Sequence, residues 1–523
     1  MAYNVNSYYI FLPLVMLAYQ LAPKCRRWYV LLASSLAFFW MISGRLILWG
    51  LITAGITYGT AILIDRYQGS VKRTDRHDKD VRGTLQKRMK RVLQAGLLGT
   101  VGILVVLKYS TFTLKTAEQV IQHLGGNASF SVPTILVPVG ISFYTLQAVS
   151  YLLDVYWKRE QAERNFFRVL LFLTFFPTLM EGPILQWGDT KEALYAGESI
   201  TGESIAQGSL RIIWGLFKRM IVADRLNTVV TVLYLPNKEY TGAMILLTAV
   251  VTTVQLYLEF AGTIDIVIGS ARIFGIRVPE NFRQPFEAKS AAEFWRRWHI
   301  TLGRWFKNYI FYPVTTSDTV KKWNKYSRPK YGKYITMVGT SAMALFPVWI
   351  LNGLWHGPKW PYILYGVYYF IILLAEVALQ PVGAGMRRAI HVSDDNIWIQ
   401  RWHQVRTWGI ILTGEMIFRA ETFRQFLKMC RNLFHGPFIN EKMAVDMLHL
   451  KLDIGDWFVV LAGTAVVFAV DYFLERKPDL LEKVPSLPIV PRWGIYYALI
   501  LSIAVFGAYG AGYQTVDLIY AGF

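Results

Sequence analysis

Long apolar stretches recur along the whole chain, and they constrain its fold more than any other feature. Several reach the about 20 residues that an α-helix needs to cross the hydrocarbon core of a bilayer, and shorter ones suit re-entrant or interfacial helices. The sequence therefore predicts an all-α, multi-pass protein of the cell (plasma or inner) membrane, with roughly ten to twelve transmembrane helices plus re-entrant and interfacial ones. The stretches are 8–22, 29–43, 46–64, 93–113, 133–153, 166–180, 205–235, 241–258, 334–355, 360–380, 407–419, 456–473 and 493–511.

The composition agrees with a membrane protein and argues against an ordinary soluble one. Hydrophobic residues make up 54% of the 523 residues and charged residues only 17%, against about 25% charged in typical soluble domains. The net charge is +20, and the basic clusters lie between the apolar stretches. Positive-inside bias and attraction to anionic membrane lipid explain that charge better than nucleic-acid binding does.

The first apolar stretch indicates the orientation of the N-terminus. No basic residue precedes it and no small-residue cleavage site follows it, whereas Lys24, Arg26 and Arg27 come directly after it. It is interpreted as a retained first helix, not a signal peptide, with the N-terminus outside. The strongly basic loop predicted at 65–92 and the charged segment 157–165 then lie inside, and the register of spans beyond residue 166 stays open.

The chain shows neither internal repeats nor a low-complexity linker, so a single membrane-embedded domain over 1–523 is predicted. Cys25 and Cys430 are far apart and have no CxxC neighbour. They predict neither a disulfide framework nor a metal site.

One apolar segment is interrupted, and several acidic residues adjoin apolar sequence. Pro177 and Pro183 break the stretch 175–187, with Glu181 between them; broken backbone at membrane depth is tolerated where protein or a cavity covers it. Acidic residues also occur at Asp154, Glu259 and Asp265. Such carboxylates face the bundle interior or a watery cavity, and structural pairing with an arginine is favoured over a functional role.

Residues 293–313, "EFWRRWHITLGRWFKNYIFYP", are dense in tryptophan and arginine and contain one histidine, His299. On a helical wheel the aromatic residues share one arc, with Arg296, Arg297, Arg304 and Lys307 opposite. That pattern predicts an amphipathic helix along the membrane interface, with rings at headgroup level and cations on phosphates. Taken alone, His299 is best read as a packing or interfacial residue.

A second histidine, His356, ends the apolar run in "WILNGLWHGPKWPYILYG" (349–366), after Trp355 and before Gly357 and Pro358. A charged histidine at that depth is costly, so the neutral imidazole is favoured. A neutral imidazole can accept a proton from a hydroxyl group, as a general base does. A structural histidine bonded to a neighbouring carbonyl group is an equal alternative on these residues alone.

At these motifs the sequence resembles the membrane-bound O-acyltransferase family, in its bacterial polysaccharide (alginate-type) O-acetyltransferase branch. The resemblance covers core motifs from 138 to 426, with further C-terminal membrane helices at 456–511. It is carried in order by "PVGISFYTLQAVSYLLDVY" (138–156), "FFPTLMEGPI" (175–184), "WGLFKRMIVADRL" (214–226), "FAGTIDIVIGSARIFGIRVPENFRQPF" (260–286), the 293–313 segment, "NGLWHG" (352–357) and "FRAETFRQF" (418–426).

The resemblance implies transfer of an acyl group from a thioester to a hydroxyl group, at a central tunnel through the membrane. It implies that His356 is the catalytic histidine and that His299 is the second polar residue of the site. The other candidates for the site and its tunnel are Trp298, Trp355, Asn352, Arg296, Arg297, Asp265 and Glu181.

The resemblance also implies the chemistry around the reaction. No bound cofactor or metal is expected, and acetyl-CoA or an acyl carrier protein is the donor co-substrate. A cell-surface polysaccharide is the expected acceptor, with an extracytoplasmic SGNH-type acetyltransferase as partner. Three alternatives stay open: a D-alanyl transferase acting on teichoic acid, because "PYILYG" (361–366) is similar to that branch; a lipid or glycan transporter, although no inverted repeat is visible; and a non-catalytic scaffold.

Overall fold

The computed structural model describes residues 6–75, 77–127, 129–130, 135–236, 238–389, 391, 393, 395–435 and 437–509. All regular secondary structure within these ranges is helical, so the all-α prediction is confirmed. The predicted apolar stretches 133–153 and 493–511 lie partly outside the described residues, at positions 133–134 and 510–511.

The chain divides into two compact units. Among the described residues, the first contains those up to Gly208 together with Val267–Pro279. Its helices are α1 (Asn6–Leu21), α2 (Arg27–Ser43), α3 (Ile47–Arg73), α4 (Lys79–His123), α5 (Ile141–Tyr156), α6 (Phe166–Thr174) and α7 (Trp187–Tyr195).

The second unit contains Ser209–Ile266 and the described residues from Glu280 onward. The α-helices from Gly202 to the end of the described chain are α8 (Gly202–Leu216), α9 (Asp224–Leu233), α10 (Ala243–Ile273), α11 (Ala291–Arg297), α12 (Ile300–Phe306), α13 (Tyr312–Thr315), α14 (Asp318–His356, kinked at Gly332), α15 (Trp360–Ala389), α16 (Ile397–Arg419), α17 (Phe423–Leu433), α18 (Lys442–Leu448), α19 (Ile454–Arg476), α20 (Leu480–Lys483) and α21 (Ile489–Phe506). Two π-helical segments, Phe217–Ala223 and Lys307–Phe311, join α8 to α9 and α12 to α13.

Seven helical segments of the described chain are long and apolar enough to cross a membrane. They are Lys24–Arg73 (which contains α2 and α3), Lys79–His123, Ala243–Ile273, Asp318–His356, Trp360–Met386, Ile454–Arg476 and Ile489–Phe506. Counting α2 and α3 separately and adding the shorter apolar helix Ser7–Leu21 brings the number of apolar helices closer to the predicted ten to twelve. The remaining difference arises because several predicted stretches form short helices, such as the nine-residue α6.

The basic segment predicted as a loop at 65–92 is largely helical, which corrects that prediction. Helix α3 continues through Arg73 and α4 begins at Lys79. The basic residues follow the apolar part of α3 and precede the apolar part of α4, and no Gly or Pro stops the backbone there. Hydropathy therefore marked the ends of the apolar surface and not the ends of the helices.

The interruption predicted at 175–187 is confirmed. Helix α6 ends at Thr174 and α7 begins at Trp187, and the segment between them contains no helix. Residues 175–185 are all buried, so protein covers the irregular backbone, as the membrane environment requires.

The 293–313 segment is not one interfacial helix, which is a second correction. It is divided into α11, α12, the second π segment and α13, with a break at Trp298 and His299. Several of its aromatic side chains pack inside the protein: Phe294, Trp298 and Trp305 are at most 5% exposed. The wheel assumed a constant 100° per residue, and the break invalidates that assumption.

Helices α14 and α15 form a tightly crossed pair in the second unit. A Cβ atom added to Gly353 would lie 2.4 Å from the carbonyl oxygen of Tyr362, and one added to Gly366 would lie 2.2 Å from that of Trp349. Glycine at both positions lets the two backbones approach closely, as small residues do between membrane helices. This crossing fixes the end of α14, where His356 lies.

Candidate active site

His299 lies at the break between α11 and α12, in a left-handed backbone conformation with φ 46° and ψ 51°. That region is sparsely populated by residues with a side chain, and it costs free energy unless the surroundings hold it. The Ser290 hydroxyl caps the start of α11, and Trp298 adopts an extended conformation directly before the histidine. The side chain of His299 is only 1% exposed.

Asn281 holds His299 and the start of α12. Its Oδ1 atom lies 3.2 Å from Nδ1 of His299, and it accepts hydrogen bonds from the backbone N–H of Thr301 (3.1 Å) and the Thr301 hydroxyl (2.9 Å). The Asn281 carbonyl oxygen also accepts from the N–H of Ile300 at 2.9 Å. Since an amide oxygen only accepts, the His299 proton is on Nδ1 and the lone pair is on Nε2.

The surroundings of His299 keep it neutral. Burial lowers the pKa of His299 from 6.5 to about 3, because a charged imidazolium loses its hydration there. The ring of Phe260 packs edge-on against the imidazole, with centroids 4.9 Å apart. His299 therefore presents an uncharged ring with an acceptor nitrogen.

His356 is the last residue of α14 and is 4% exposed. Aromatic rings surround its imidazole: Phe418 has its ring centroid 5.0 Å away, Tyr365 5.8 Å and Tyr362 6.2 Å. Helix α14 stops directly after it, since Gly357 has φ 154°. These contacts confine the imidazole by packing from α15 and α16.

Trp355 joins the two histidines. Its indole lies 5.4 Å from the His299 ring and 5.0 Å from the His356 ring, centroid to centroid. Trp355 is 6% exposed, so all three rings lie in the interior of the second unit. The structure thus brings together the two histidines that the sequence had placed 57 residues apart.

A cavity of about 620 Å³ adjoins this cluster. His299 lines it together with Asn352, which lies one helical turn before His356 on α14. Oδ1 of Asn352 is buried and has no hydrogen-bond partner among the described residues. The basic side chains that line the cavity in that part of the chain are Arg296, Arg304 and Lys307.

Other predicted site residues lie beside this cluster without lining the cavity. Trp298 packs on Phe282, with ring centroids 5.0 Å apart. Arg297 makes two hydrogen bonds of 3.0 Å to the Glu475 carboxylate and a third to Glu293. Trp298 and Arg297 directly precede His299, and these contacts stabilise the break in the helix there.

The predicted acidic site residues are placed elsewhere. Asp265 lies 2.7 Å from Nε of Arg211 and 2.9 Å from Nζ of Lys218, which matches the structural interpretation of that carboxylate. Glu181 belongs to the first unit, where it is 2% exposed.

The two remaining acidic residues also have polar partners. Asp154 pairs with Arg159 at 3.3 Å, as the favoured interpretation expected. Glu259 accepts a hydrogen bond of 2.6 Å from Gln255 instead.

Sequence reasoning missed the residues that hold the histidines. Asn281 lies within the motif 260–286 and Phe418 opens the motif 418–426, so both were inside segments already singled out. Neither carried a local signal, because an asparagine in a loop and a phenylalanine in an apolar helix are ordinary. Their roles depend on contacts between segments distant in the sequence.

The chain is similar to a known protein family and to known proteins. Residues 163–328 match the family described as MBOAT, membrane-bound O-acyltransferase family. The chain is 29% identical over 446 residues to the probable alginate O-acetylase AlgI of Azotobacter vinelandii, which covers 83% of this chain and 78% of that protein.

Two further relatives are named for different activities. The peptidoglycan O-acetyltransferase of Helicobacter pylori is 27% identical, over 65% of this chain and 63% of that protein. The teichoic acid D-alanyltransferase of Bacillus subtilis is 28% identical, over 45% of this chain and 58% of that protein. What the three have in common is acyl transfer. With its apolar helices and its family domain, the chain therefore belongs to the membrane-bound O-acyltransferase family and is a multi-pass O-acyltransferase.

Proposed function

We propose that the protein moves an acetyl group from a cytoplasmic thioester donor, across or within the membrane, to hydroxyl groups of an extracytoplasmic cell-surface polysaccharide. The observation that carries this proposal is the cluster of His299, Trp355 and His356 beside a cavity that has cations on its wall. The acceptor class is supported by the relatives whose names give alginate and peptidoglycan as what they acetylate.

His356 is proposed as the general base. It takes the proton of the acceptor hydroxyl as that oxygen attacks the thioester carbonyl carbon. The new C–O bond forms, the C–S bond then breaks, and the proton passes from His356 to the leaving sulfur. Positioned general-base catalysis of this kind contributes about 10²–10⁴-fold to the rate.

His299 is proposed to orient a substrate. Its Nδ1–H is directed to Asn281 and its ring is neutral, so Nε2 is the acceptor atom of a residue that lines the cavity. An acceptor can hold a hydroxyl or amide N–H in place, whereas it cannot donate to a developing oxyanion. This favours orientation over charge stabilisation for His299.

The cations of the cavity wall are proposed to hold the phosphate groups of the donor. Acetyl-CoA carries phosphates, and a charged acyl carrier protein presents its thioester on a phosphate-linked arm. Arg296, Arg304 and Lys307 are exposed at this wall, where guanidinium and ammonium groups can reach phosphate oxygens. An extracytoplasmic SGNH-type acetyltransferase is proposed as the partner protein, and the chain is proposed to act as one membrane-embedded domain.

The first experiment measures ester-linked acyl groups on the envelope polysaccharides. It compares the intact protein, a deletion strain, His356→Ala, and the matched control His449→Ala, whose side chain is exposed. The proposal expects loss of acetyl ester in the deletion and in His356→Ala at equal protein levels, with His449→Ala normal. Normal acetylation in His356→Ala contradicts the assignment of the base.

The same measurement separates the second candidate function. The likeness to a teichoic acid D-alanyltransferase makes D-alanyl ester the alternative product, and its loss in place of acetyl ester moves the protein to that activity. If no ester changes in any strain, acyl transfer to the envelope is the wrong function for this chain.

A second experiment tests the donor site with purified protein. Arg304→Gln combined with Lys307→Gln is expected to raise the KM for acetyl-CoA about tenfold, because charge-assisted hydrogen bonds to phosphate are lost. The matched control is Lys321→Gln, on an exposed lysine that pairs with Asp318. Unchanged KM values with acetyl-CoA and with an acetylated carrier protein contradict phosphate binding at this wall.

A further inference from the structure

Glu415 on α16 is a buried acid that the reaction described above does not use. It is 1% exposed, and one of its carboxylate oxygens accepts a hydrogen bond of 3.4 Å from the hydroxyl of Tyr365 on α15. Its other oxygen, Oε2, has no hydrogen-bond partner in the described part of the chain, and no basic side chain there forms an ion pair with it.

Two other carboxylates of the second unit, one buried and one half-buried, have very different surroundings. Asp265 is held by two cations. Glu376 accepts from the backbone N–H groups of Ala291 and Ala292 and pairs with Arg406. Burying a carboxyl group with so few partners as Glu415 has is unfavourable. A leucine at position 415 would make the folded protein more stable, so the contact of Glu415 with Tyr365 is the feature that needs an explanation.

The Tyr365 ring connects Glu415 to His356. It lies edge-on to the imidazole, with the ring planes at 88° and the centroids 5.8 Å apart. On its other sides it packs against Phe418 at 5.2 Å and Tyr369 at 5.0 Å. Packing limits the tilt of the ring, and the hydrogen bond to Glu415 fixes the end that carries the hydroxyl.

We propose that Glu415 is a positioning residue for the transfer reaction: by accepting the Tyr365 hydroxyl, it fixes the ring that confines the imidazole of His356. The inference rests on the proposed function, since it acts through His356 as the base. Catalytic groups held within a fraction of an ångström of their productive geometry lose rate when the residues behind them loosen.

The test uses three single variants of the full-length protein, with kcat and the donor KM measured separately. Tyr365→Phe and Glu415→Leu each remove the hydrogen bond, and each is expected to lower kcat about five- to tenfold with little change in KM. The double variant is expected to be no slower than either single one, because both remove the same contact. Glu415→Gln keeps an accepting oxygen and is expected to restore most of the lost rate.

Tyr368→Phe is the matched control. Its hydroxyl donates to the carbonyl oxygen of Ile410 at 2.9 Å and so also links α15 to α16. If it lowers kcat as much as Tyr365→Phe does, the effect is a general loosening of the helix pair and the inference is wrong. The inference is also wrong if Glu415→Leu and Tyr365→Phe multiply in the double variant, or if Glu415→Gln is as slow as Glu415→Leu.

His356→Ala in the same assay distinguishes failure of the proposed function of His356 from failure of the role proposed for Glu415. If it retains transfer, His356 is not the base and Glu415 has nothing to position, so both proposals fail. If it is inactive while Tyr365→Phe and Glu415→Leu keep the normal kcat, only the role of Glu415 is overturned. Thermal stability in detergent, measured for every variant, identifies any rate loss that comes from unfolding.

Discussion

The two histidines touch the same indole ring but are held in opposite ways. His299 lies on a left-handed turn between two short helices and is tied by a hydrogen bond to Asn281. His356 ends a long helix and is confined by the aromatic rings of Phe418, Tyr362 and Tyr365. Hydrogen bonds select one tautomer, whereas aromatic packing limits orientation without selecting a tautomer.

This difference matches the two roles proposed for them. A group that only orients a substrate benefits from one tautomer and one charge state throughout the reaction. A base must accept a proton and then release it, so both of its protonation states have to fit the same space. The aromatic contacts of His356 restrain the ring by packing, which holds it in place in either protonation state.

The largest effect is expected from removing the base. His356→Ala should lower kcat by about 10²–10⁴-fold, and His299→Asn should lower it less while raising the KM of a substrate. Steady-state kinetics with both substrates varied makes the comparison. A larger loss of kcat in His299→Asn would reverse the two roles.

The next effect concerns the hydrogen bonds that hold His299. Asn281→Ala removes an acceptor shared by His299 and Thr301, and losing one such buried contact costs about 1–3 kcal/mol, or roughly five- to a hundredfold in rate. Asn281→Asp keeps the accepting oxygens and should be less impaired. Kinetics as a function of pH is the measurement, and equal defects in the two variants would show that the acceptor is not what matters.

The packing around His356 gives an effect on stability. Gly353→Ala places a methyl group against the Tyr362 carbonyl oxygen and should destabilise the protein by about 1–3 kcal/mol through overpacking. Gly385→Ala on α15 is the control, because an added Cβ there meets nothing within 4 Å. Thermal unfolding in detergent compares them, and equal stability would mean that the α14–α15 crossing can widen without cost.

The smallest effect is a pH dependence that comes from His299. Its pKa is lowered from 6.5 to about 3 in the folded protein, so between these values the unfolded chain binds the extra proton and stability falls as the pH falls. From pH 6.5 to pH 5 the loss is about 2 kcal/mol. His299→Asn does not titrate and should flatten this part of the curve of thermal stability against pH. An unchanged slope would assign it to other groups.

The sequence predicted what depends on local pattern. Apolar length identified the membrane helices, and Pro177 and Pro183 marked the interruption that the structure contains. His356 was conspicuous as a lone polar ring at the end of an apolar run, whereas His299 became a candidate for the site through the resemblance of its motif to the family. The break at Trp298 and His299 could not be predicted in this way, because the residues that stabilise it, Asn281 above all, come from another part of the chain.

The acidic residues show the same limit. Asp265 was taken as a candidate for the tunnel, and the structure pairs it with Arg211 and Lys218. Glu415 attracted no attention, although it lies three residues before Phe418, because its meaning comes from Tyr365, 50 residues away. Asp265 was therefore recognised from the sequence without its partners, and Glu415 was not recognised at all.

The backbone of His299 narrows which residues can replace it. Left-handed φ and ψ angles are adopted readily by glycine and fairly often by asparagine and aspartate, and poorly by β-branched residues. A saturation library at position 299, selected first for folding, should therefore be enriched in Gly, Asn and Asp along with His, and selection for activity should then retain His. The two selections differ because selection for folding depends on the backbone conformation of residue 299, whereas selection for activity depends on its imidazole ring. A single position can therefore report separately on folding and on catalysis.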